Sequence, residues 1–448
     1  KWIGIFQFTE NGAQRFAKQV KPKSIIDLSA ITSIYRPGPL SAGVDRDFTE
    51  AKLQPQYVDY INDTVREVTE ETYGFLIFQE QIALLAHKLG KDLSLDEGNL
   101  LRKVLTKKGT GKGHEVKDRI YNKFVAGCLE KNMTKAQANK LWKTFEYFSG
   151  YGFNKSHAIS YSIISYQCAW LCNYYNAEWT ASFLDREPET RKEKAINLAK
   201  QHGFEIKHLN INTSGYRWEL LDDTTLVAPL TTIKGLGEKA IEQIIANRPF
   251  HGAEDLLFND NIVYSKFNKK AIDVLCRAGA MNDLIDDRFT GDKHFWSVIC
   301  VDKPRSKKKL DEKIELYRPE GSFTEEERIE YLTSLTGMFP FKLVITDDVT
   351  RRLGELYIPP ISEFDRDLGV CWIIPRDVTK KKTRNGKPFY VVDVIDTNSV
   401  QTRIRCWGVD PTKDTIHRNR PYLIRPAYSE DWGFSTRGPI NKTWKLLG

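Results

Sequence analysis

Apolar and polar positions divide the chain into regions of different period. From "FLIFQEQIALLAHKLG" (75–90) to "EWTASFLD" (178–185), apolar residues recur every three or four positions. That spacing predicts successive amphipathic helices, with glycine-rich breaks at 109–113 and 149–152. Upstream, "ENGAQRFAKQV" (10–20) has helical spacing, whereas "KWIGIFQF" (1–8) alternates like a strand. "SAITSIYRPGPLSAG" (29–43) reads as a proline-glycine loop that no helix interior can hold. Residues 201–285 mix short β segments such as "TTLVAPLTTI" (224–233) with short helices. From 368 onward the period is two, in "GVCWIIP", "PFYVVDVID" and "VQTRIRCWGV" separated by polar turns. In between, "KPRSKKKLDEK" (303–313) and "RPEGSFTEEER" (318–328) read as a solvated connector. No solenoid-type repeat is present.

The predicted fold class is therefore multidomain α+β, with a mostly helical N-terminal part and a β-rich end. The 448 residues are enough for two to four domains. Hydrophobic content of 41% and charged content of 28% are ordinary for a globular chain. No apolar run is long enough to cross a bilayer, and no secretory leader opens the chain, so no membrane partner is expected. The seven cysteines are scattered, and only Cys168 and Cys172 lie close in sequence, which favours reduced core thiols. A net charge of +8 suits a polyanionic partner. Because "KWIGIFQF" begins at once, the first residue is expected not to open a complete fold.

The densest chemistry lies in "EYFSGYGFNKSHAISYSIISYQ" (146–167). Ser156 is the expected N-cap, with a helix running from His157. The loop before it would then present backbone N–H groups, Asn154, Lys155 and His157 at a helix N-terminus, an arrangement that suits a phosphate. Tyr161, one turn further in, could lie against a base or sugar. The alternative is that the glycines shape a turn and the aromatics are core. A second segment, "GNLLRKVLTKKGTGKGHE" (98–115), carries Arg102, Lys103, Lys107, Lys108 and Lys112 on a stripe ending in a glycine-rich basic loop. Such a stripe is usually a solvated face, but the loop suits a mobile phosphate clamp.

"YRPGPL" (35–40), "ETYGFLIFQEQI" (71–82), "NLLRKVLTKKG" (99–109) and "FSGYGFNKSHAISYSIISYQ" (148–167) occur in the order and spacing of the bacterial C-family replicative DNA polymerases, which this sequence resembles. The resemblance covers 1–285 well and 325–448 more loosely. In that family these motifs belong to the fingers, which bind the incoming deoxynucleoside triphosphate and the template. It implies that Arg102 and Lys103 match a Leu-Arg-Arg stretch; the lysine keeps the charge but loses a bidentate fork. Lys107 and Lys108 match a basic run. Asn154, Lys155, Ser156, His157 and Tyr161 match the family's Asn-Lys-Ser-His and following tyrosine. Arg36 lies in the Arg-Pro-Gly-Pro loop, as a template or nucleotide contact or as a structural ion pair.

Two further modules follow. "TTIKGLGEKAIEQIIANR" (231–248) has the turn of a helix-hairpin-helix unit at Lys234, Gly235 and Gly237, followed by Lys239, with "FNKKAIDVLCRAGAMNDL" (267–284) as the second half. Glycine-permitted turns there let backbone amides approach duplex phosphates; a plain helix-capping turn is the alternative. The end resembles an OB-like barrel with Lys380, Lys381, Lys382, Arg384 and Lys387 around an Asn385–Gly386 hairpin, and with Phe389, Tyr390 and Trp407 on the strands. Basic loops beside stacking aromatics suit single strands, though a solvated hairpin over an aromatic core would read alike.

The expected domains are fingers at 1–200, helix-hairpin-helix at 201–285, connector at 286–365 and OB-like barrel at 366–448. The family's palm, which holds Mg2+ through a Pro-Asp-x-Asp-x-Asp motif and a third Asp, has no counterpart here. Asp45/Asp47 and Asp365/Asp367 are the only Asp-x-Asp pairs, neither in a strand context, so no catalytic or metal residue is expected in this chain. The resemblance implies a DNA-directed DNA polymerase part, inactive alone, working on primer–template DNA and dNTPs with a palm-bearing polypeptide. It also implies other replisome proteins and the cytoplasm of a bacterial or phage-infected cell. No clear clamp-binding peptide is present in 286–330, which leaves a sliding clamp open. The competing class is a non-catalytic nucleic-acid-binding protein derived from a polymerase.

Overall fold

The computed structural model describes residues 2–106, 111–149, 152–301, 303–429 and 432–447. It divides into two units, residues 1–175 and 176–448. The helical spacing of the first unit resolves into α1 (Asn11–Val20), α2 (Ile25–Ile34), α3 (Pro37–Ser41), α4 (Val44–Leu53), α5 (Asp63–Thr69), α6 (Gln79–Leu89), α7 (Leu95–Thr106), α8 (Gly111–Glu130), α9 (Lys135–Ser149) and α10 (Lys155–Tyr174). Helices α6 to α9 surround one core containing Leu85, Leu89, Leu101, Ile120, Phe124, Leu141 and Phe145. A Cβ at Gly98 would lie 2.4 Å from the Ala83 carbonyl oxygen, so glycine lets α7 come directly against α6.

Two local expectations are corrected. "KWIGIFQF" is a pair of turns, not a strand: the Phe8 N–H donates to the Ile5 carbonyl at 3.0 Å. The turns sink Ile3, Ile5 and Phe8 into the same unit, so the apolar positions follow turn geometry rather than a pleat. The proline-glycine segment contains the end of α2 and all of α3, because Pro37 stands in the first turn of α3, where its missing N–H costs nothing.

The second unit opens with α11 (Asn176–Arg186) and α12 (Lys192–Gln201), then a three-stranded sheet of β1 (Glu205–Lys207), β2 (Glu219–Asp222) and β3 (Thr225–Val227), ordered β1-β3-β2. Helices α13 (Glu238–Asn247), α14 (Ala253–Leu257) and α15 (Lys269–Arg277) follow. The polar stretch read as a solvated connector is instead packed. It forms α16 (Asp292–Trp296), α17 (Lys307–Tyr317) and α18 (Glu325–Thr336), with Phe295, Val298, Ile299, Leu310 and Ile314 buried. Its charges occupy outer faces while sparse apolar residues at helical spacing supply the inner ones.

The β-rich end is a curled seven-stranded sheet, an OB-like half-barrel ordered β10-β7-β4-β5-β6-β9-β8. Its strands are β4 (Cys371–Lys382), β5 (Pro388–Ile395), β6 (Gln401–Trp407), β7 (Tyr422–Ile424), β8 (Ala427–Ser429), β9 (Gly433–Arg437) and β10 (Trp444–Leu446). The unbroken apolar start of β4 is explained by burial on both faces. Cys371 and Ile373 join the barrel core, while Trp372 and Ile374 pack with Ile329, Phe339 and Leu353. The whole is thus multidomain α+β. Among the described residues all seven cysteines are free thiols, and no helix is long and apolar enough to cross a membrane.

Candidate functional site

The N-termini of α6 and α10 lie side by side. Phe78 and Phe153 pair as an isolated parallel bridge: the Phe153 N–H donates to the Ile77 carbonyl at 3.0 Å, and the Gln79 N–H donates to the Phe153 carbonyl at 2.9 Å. Two positive helix ends therefore converge. Asn154, not Ser156, caps α10: its side-chain oxygen accepts the His157 N–H at 2.8 Å and the Ser156 hydroxyl at 2.7 Å. The helix consequently begins at Lys155, two residues earlier than the serine cap would place it.

The first turn of α6 organises the junction. The Gln79 side chain donates to the Gly152 carbonyl at 2.9 Å and accepts from the Arg102 guanidinium. Glu80 accepts the Lys155 N–H at 3.0 Å and the Asn154 side-chain amide at 3.1 Å, and the Lys155 ammonium pairs with Glu71. Arg36 stacks its guanidinium 4.7 Å from the Phe153 ring and donates Nε to the Ser33 carbonyl at 2.7 Å. An aromatic series continues along α10: Phe153 to His157 at 5.5 Å, His157 to Tyr161 at 4.1 Å, and Tyr161 to Phe6 at 5.2 Å between ring centres. The His157 and Tyr161 side chains are exposed.

The structure thus brings Arg36, Arg102, Asn154, Lys155, Ser156, His157 and Tyr161 to one junction. Lys103 is exposed on α7. Lys107, Lys108 and the Lys112 side chain lie outside the described residues, and the chain is helical again from Gly111. Sequence reasoning missed Glu71, Gln79 and Glu80. A signal existed in "FQEQ", because Gln81 accepts the N–H groups of Ile77 and Phe78, each at 2.9 Å, as a helix-start clamp.

A buried node elsewhere in the first unit fixes α2, α4 and Tyr73. The Asp27 carboxylate accepts the Lys23 N–H at 2.7 Å and the Tyr73 hydroxyl at 3.0 Å, and pairs with Lys52 at 3.0 Å. Burial opposes its charge, but these hydrogen bonds win and hold its pKa below the ordinary Asp value. The same node raises Lys52 despite its burial.

In the second unit, the Lys234–Gly237 turn precedes α13 with Gly235 at φ +90°, and Ile233, Ala240 and Ile241 are buried around it. The Lys234 N–H donates to the Leu335 carbonyl at 2.8 Å, so that amide is already used. The N–H groups of Gly235 and Gly237 have no acceptor among the described residues, and Lys234 and Lys239 expose their side chains. Asn268 caps α15, accepting the Ala271 N–H at 3.1 Å.

On the barrel, β4 and β5 form the expected hairpin: the Thr383 N–H donates to the Lys387 carbonyl at 2.9 Å and Gly386 has φ +75°. Lys381 opposes Phe389, and Phe389 opposes Trp407, whose rings stack at 4.5 Å. Lys380, Lys382, Arg384 and Lys387 are exposed nearby. Tyr390 does not join that row. It points into the core, 1% exposed, and its hydroxyl donates to the Asp414 carbonyl at 3.1 Å. Arg405, which sequence reasoning did not single out, stands two residues before Trp407 on the same face of β6 and lies 5.8 Å from the ring of Trp432, which is 67% exposed.

Asp45 and Asp47 stand in the first turn of α4, and Asp365 accepts the Asp367 N–H at 2.8 Å in a loop. Among the described residues no three His, Cys, Asp or Glu side chains gather where they could hold a metal.

Residues 1–132 match the family model of the bacterial DNA polymerase III alpha subunit finger domain, and residues 203–290 match that of the helix-hairpin-helix motif. DNA polymerase III subunit alpha of Aquifex aeolicus is 28% identical over 442 residues, covering 96% of this chain and 37% of that relative. The Xylella fastidiosa subunit is 32% identical over 291 residues, 63% of this chain and 24% of its own length. That of Thermus aquaticus is 31% identical over 294 residues, 64% of this chain and 23% of its length. The chain thus spans between 23% and 37% of these relatives. With its finger-domain match in the helical first unit and its helix-hairpin-helix match over the segment that holds α13 to α15, the chain resembles a C-terminal part of the DNA polymerase III alpha subunit.

Proposed function

We propose that this chain supplies incoming-nucleotide and DNA binding to template-directed DNA synthesis, as part of a DNA-directed DNA polymerase. The observation that carries this is the convergence of two helix N-termini on Lys155, with Arg102 tied to the same turn through Gln79. A triphosphate is the ligand chemistry such a junction favours. Its oxygens would take the place of the Glu80 and Glu71 carboxylates on the Lys155 N–H and ammonium. The exposed His157 and Tyr161 rings would then lie against the sugar or base. The Gly235 and Gly237 amides would hold duplex backbone, and the Lys381–Phe389–Trp407 row would hold single-stranded template. Magnesium ions on palm carboxylates outside this chain would activate the primer hydroxyl and stabilise the leaving pyrophosphate.

The test is steady-state kinetics with the palm-bearing polypeptide present. Replacing Arg102, Lys155 or His157 with Ala is expected to raise the nucleotide KM or lower kcat, by about tenfold or more for either cation, with primer–template affinity nearly unchanged. The chain by itself, given primer–template, magnesium and four nucleotides, is expected to bind DNA without extending it. Weakened DNA binding with normal nucleotide kinetics would reassign the junction to DNA. Extension by the chain alone, lost on changing Asp45 and Asp47 to Asn, would locate a metal site there instead.

A further inference from the structure

A cleft of about 610 Å³ opens in the first unit, away from the α6–α10 junction. Trp2, Ile5 and Phe8 form one wall, Ile25 and Leu28 of α2 another, and Tyr166 and Ala169 of α10 the third. The size falls in the range of about 300–1,000 Å³ usual for ligand sites. Lys18, Lys21 and Lys23 stand at its margin, and no carboxylate is among its lining residues. None of these three ammonium groups has a carboxylate partner among the described residues; Lys18 lies 5.9 Å from the Trp2 ring. The walls are hydrogen-bonded internally. The Ser24 hydroxyl accepts the Asp27 N–H at 3.1 Å, the Ser165 hydroxyl donates to the Phe6 carbonyl at 2.9 Å, and the Lys21 N–H donates to the Ala17 carbonyl at 3.0 Å.

This combination selects its occupant. An apolar interior whose polar groups are already satisfied gives a nucleobase edge nothing to bond, and unmet donors and acceptors are costly to bury. Bulky hydrocarbon or phenyl groups lose nothing there. The rim of unpaired lysines asks for anionic groups beside that apolar body. We propose that the cleft docks a short acidic peptide segment of a partner protein, inserting one or two large apolar side chains while flanking carboxylates meet Lys18, Lys21 and Lys23.

The test uses the whole 448-residue chain and a fluorescein-labelled peptide, Asp-Asp-Phe-Leu-Asp-Asp, read by anisotropy at moderate salt. Saturable binding is expected, weakened about tenfold or more when Phe-Leu becomes Ala-Ala. Two orthogonal variants should weaken it similarly: Lys18→Gln with Lys23→Gln, which removes rim charge from exposed positions, and Ala169→Trp, which fills the cleft without touching a lysine. Thermal melts confirm that both variants are folded. Equal binding of the two peptides, or full binding by a folded Ala169→Trp chain, would overturn the proposal by reducing it to surface charge. Displacement of the labelled peptide by oligo-dT or by a deoxynucleoside triphosphate would also overturn it, making the cleft a nucleotide or strand site. Absence of saturable binding by the unaltered chain would do the same.

Discussion

At the α6–α10 junction Lys155 comes with an anion of its own, whereas the cations of the β4–β5 hairpin have none among the described residues. Lys155 pairs with Glu71, and Glu80 occupies the amides of the α10 N-terminus. Lys380, Lys381, Lys382, Arg384 and Lys387 form no ion pair among the described residues. The difference bears on the ligand each can take. A ligand at the junction must displace two carboxylates, which favours a compact group of high charge density in one geometry. The hairpin offers unneutralised charge beside stacked rings and suits any extended polyanion, with affinity governed by salt.

The largest expected effect sharpens this contrast. Asp27→Asn would leave Lys52 buried without its partner and is expected to cost about 3–5 kcal/mol, read as a lower urea midpoint for the unit that contains it. Because folding depresses the Asp27 pKa, the stability it contributes is present above its unfolded value of about 3.9. It is lost as the pH falls through the lower folded value, so the wild-type chain should lose stability in that acid window and the Asn variant should lose less. Nucleotide response should suffer in the variant while single-strand binding by the barrel persists. Parallel loss of both would break the contrast.

Next in size is the hairpin. Changing Lys380, Lys381, Lys382 and Arg384 to Gln should flatten the salt dependence of single-strand binding by up to about three units of slope, at about 0.7 per phosphate contact. The slope for nucleotide binding should not move. An unchanged single-strand slope would leave the hairpin merely solvated.

The smallest effect tests the junction's built-in competitor. Glu80→Gln keeps an oxygen to accept the Lys155 N–H but removes a negative charge at two helix ends. Nucleotide affinity should rise by about two- to fivefold, equivalent to about 0.3–1 kcal/mol of helix-end electrostatics. Unaltered nucleotide affinity together with lower stability would make Glu80 a cap and nothing more.

Much of this architecture was legible from local pattern. The three- and four-residue spacing of 75–185 foretold the helices, and the β-rich pattern after 368 foretold the strands, because one buried face per element leaves its period in the sequence; the start of β4, buried on both faces, is the exception. The Asn385–Gly386 turn was readable because Gly386 at φ +75° is a backbone requirement. The opening segment was misread because Ile3, Ile5 and Phe8 are also buried by turns, and eight residues cannot distinguish the two by period. The packed helices of 286–330 were hidden by their charge, since a few apolar residues at helical spacing suffice to bury one side.

The candidate site divides along the same line. Residues Asn154, Lys155, Ser156, His157 and Tyr161 were singled out because a cation, amides and a helix start adjoin in sequence, and Arg102 because it stands on a basic stripe. Their company was settled by pairing of distant segments: Glu71, Gln79 and Glu80 reach the α10 N-terminus only because Phe78 and Phe153 bridge across more than seventy positions of chain. Likewise Tyr390 and Phe389 are neighbours of equal promise in the sequence, yet strand register sends one into the core and the other beneath Trp407. Sequence by itself determined which chemistry each short segment carries, because period, caps and turns are set by adjacent residues. Tertiary structure alone decided which charges meet, since contact between remote segments depends on packing that no local pattern encodes.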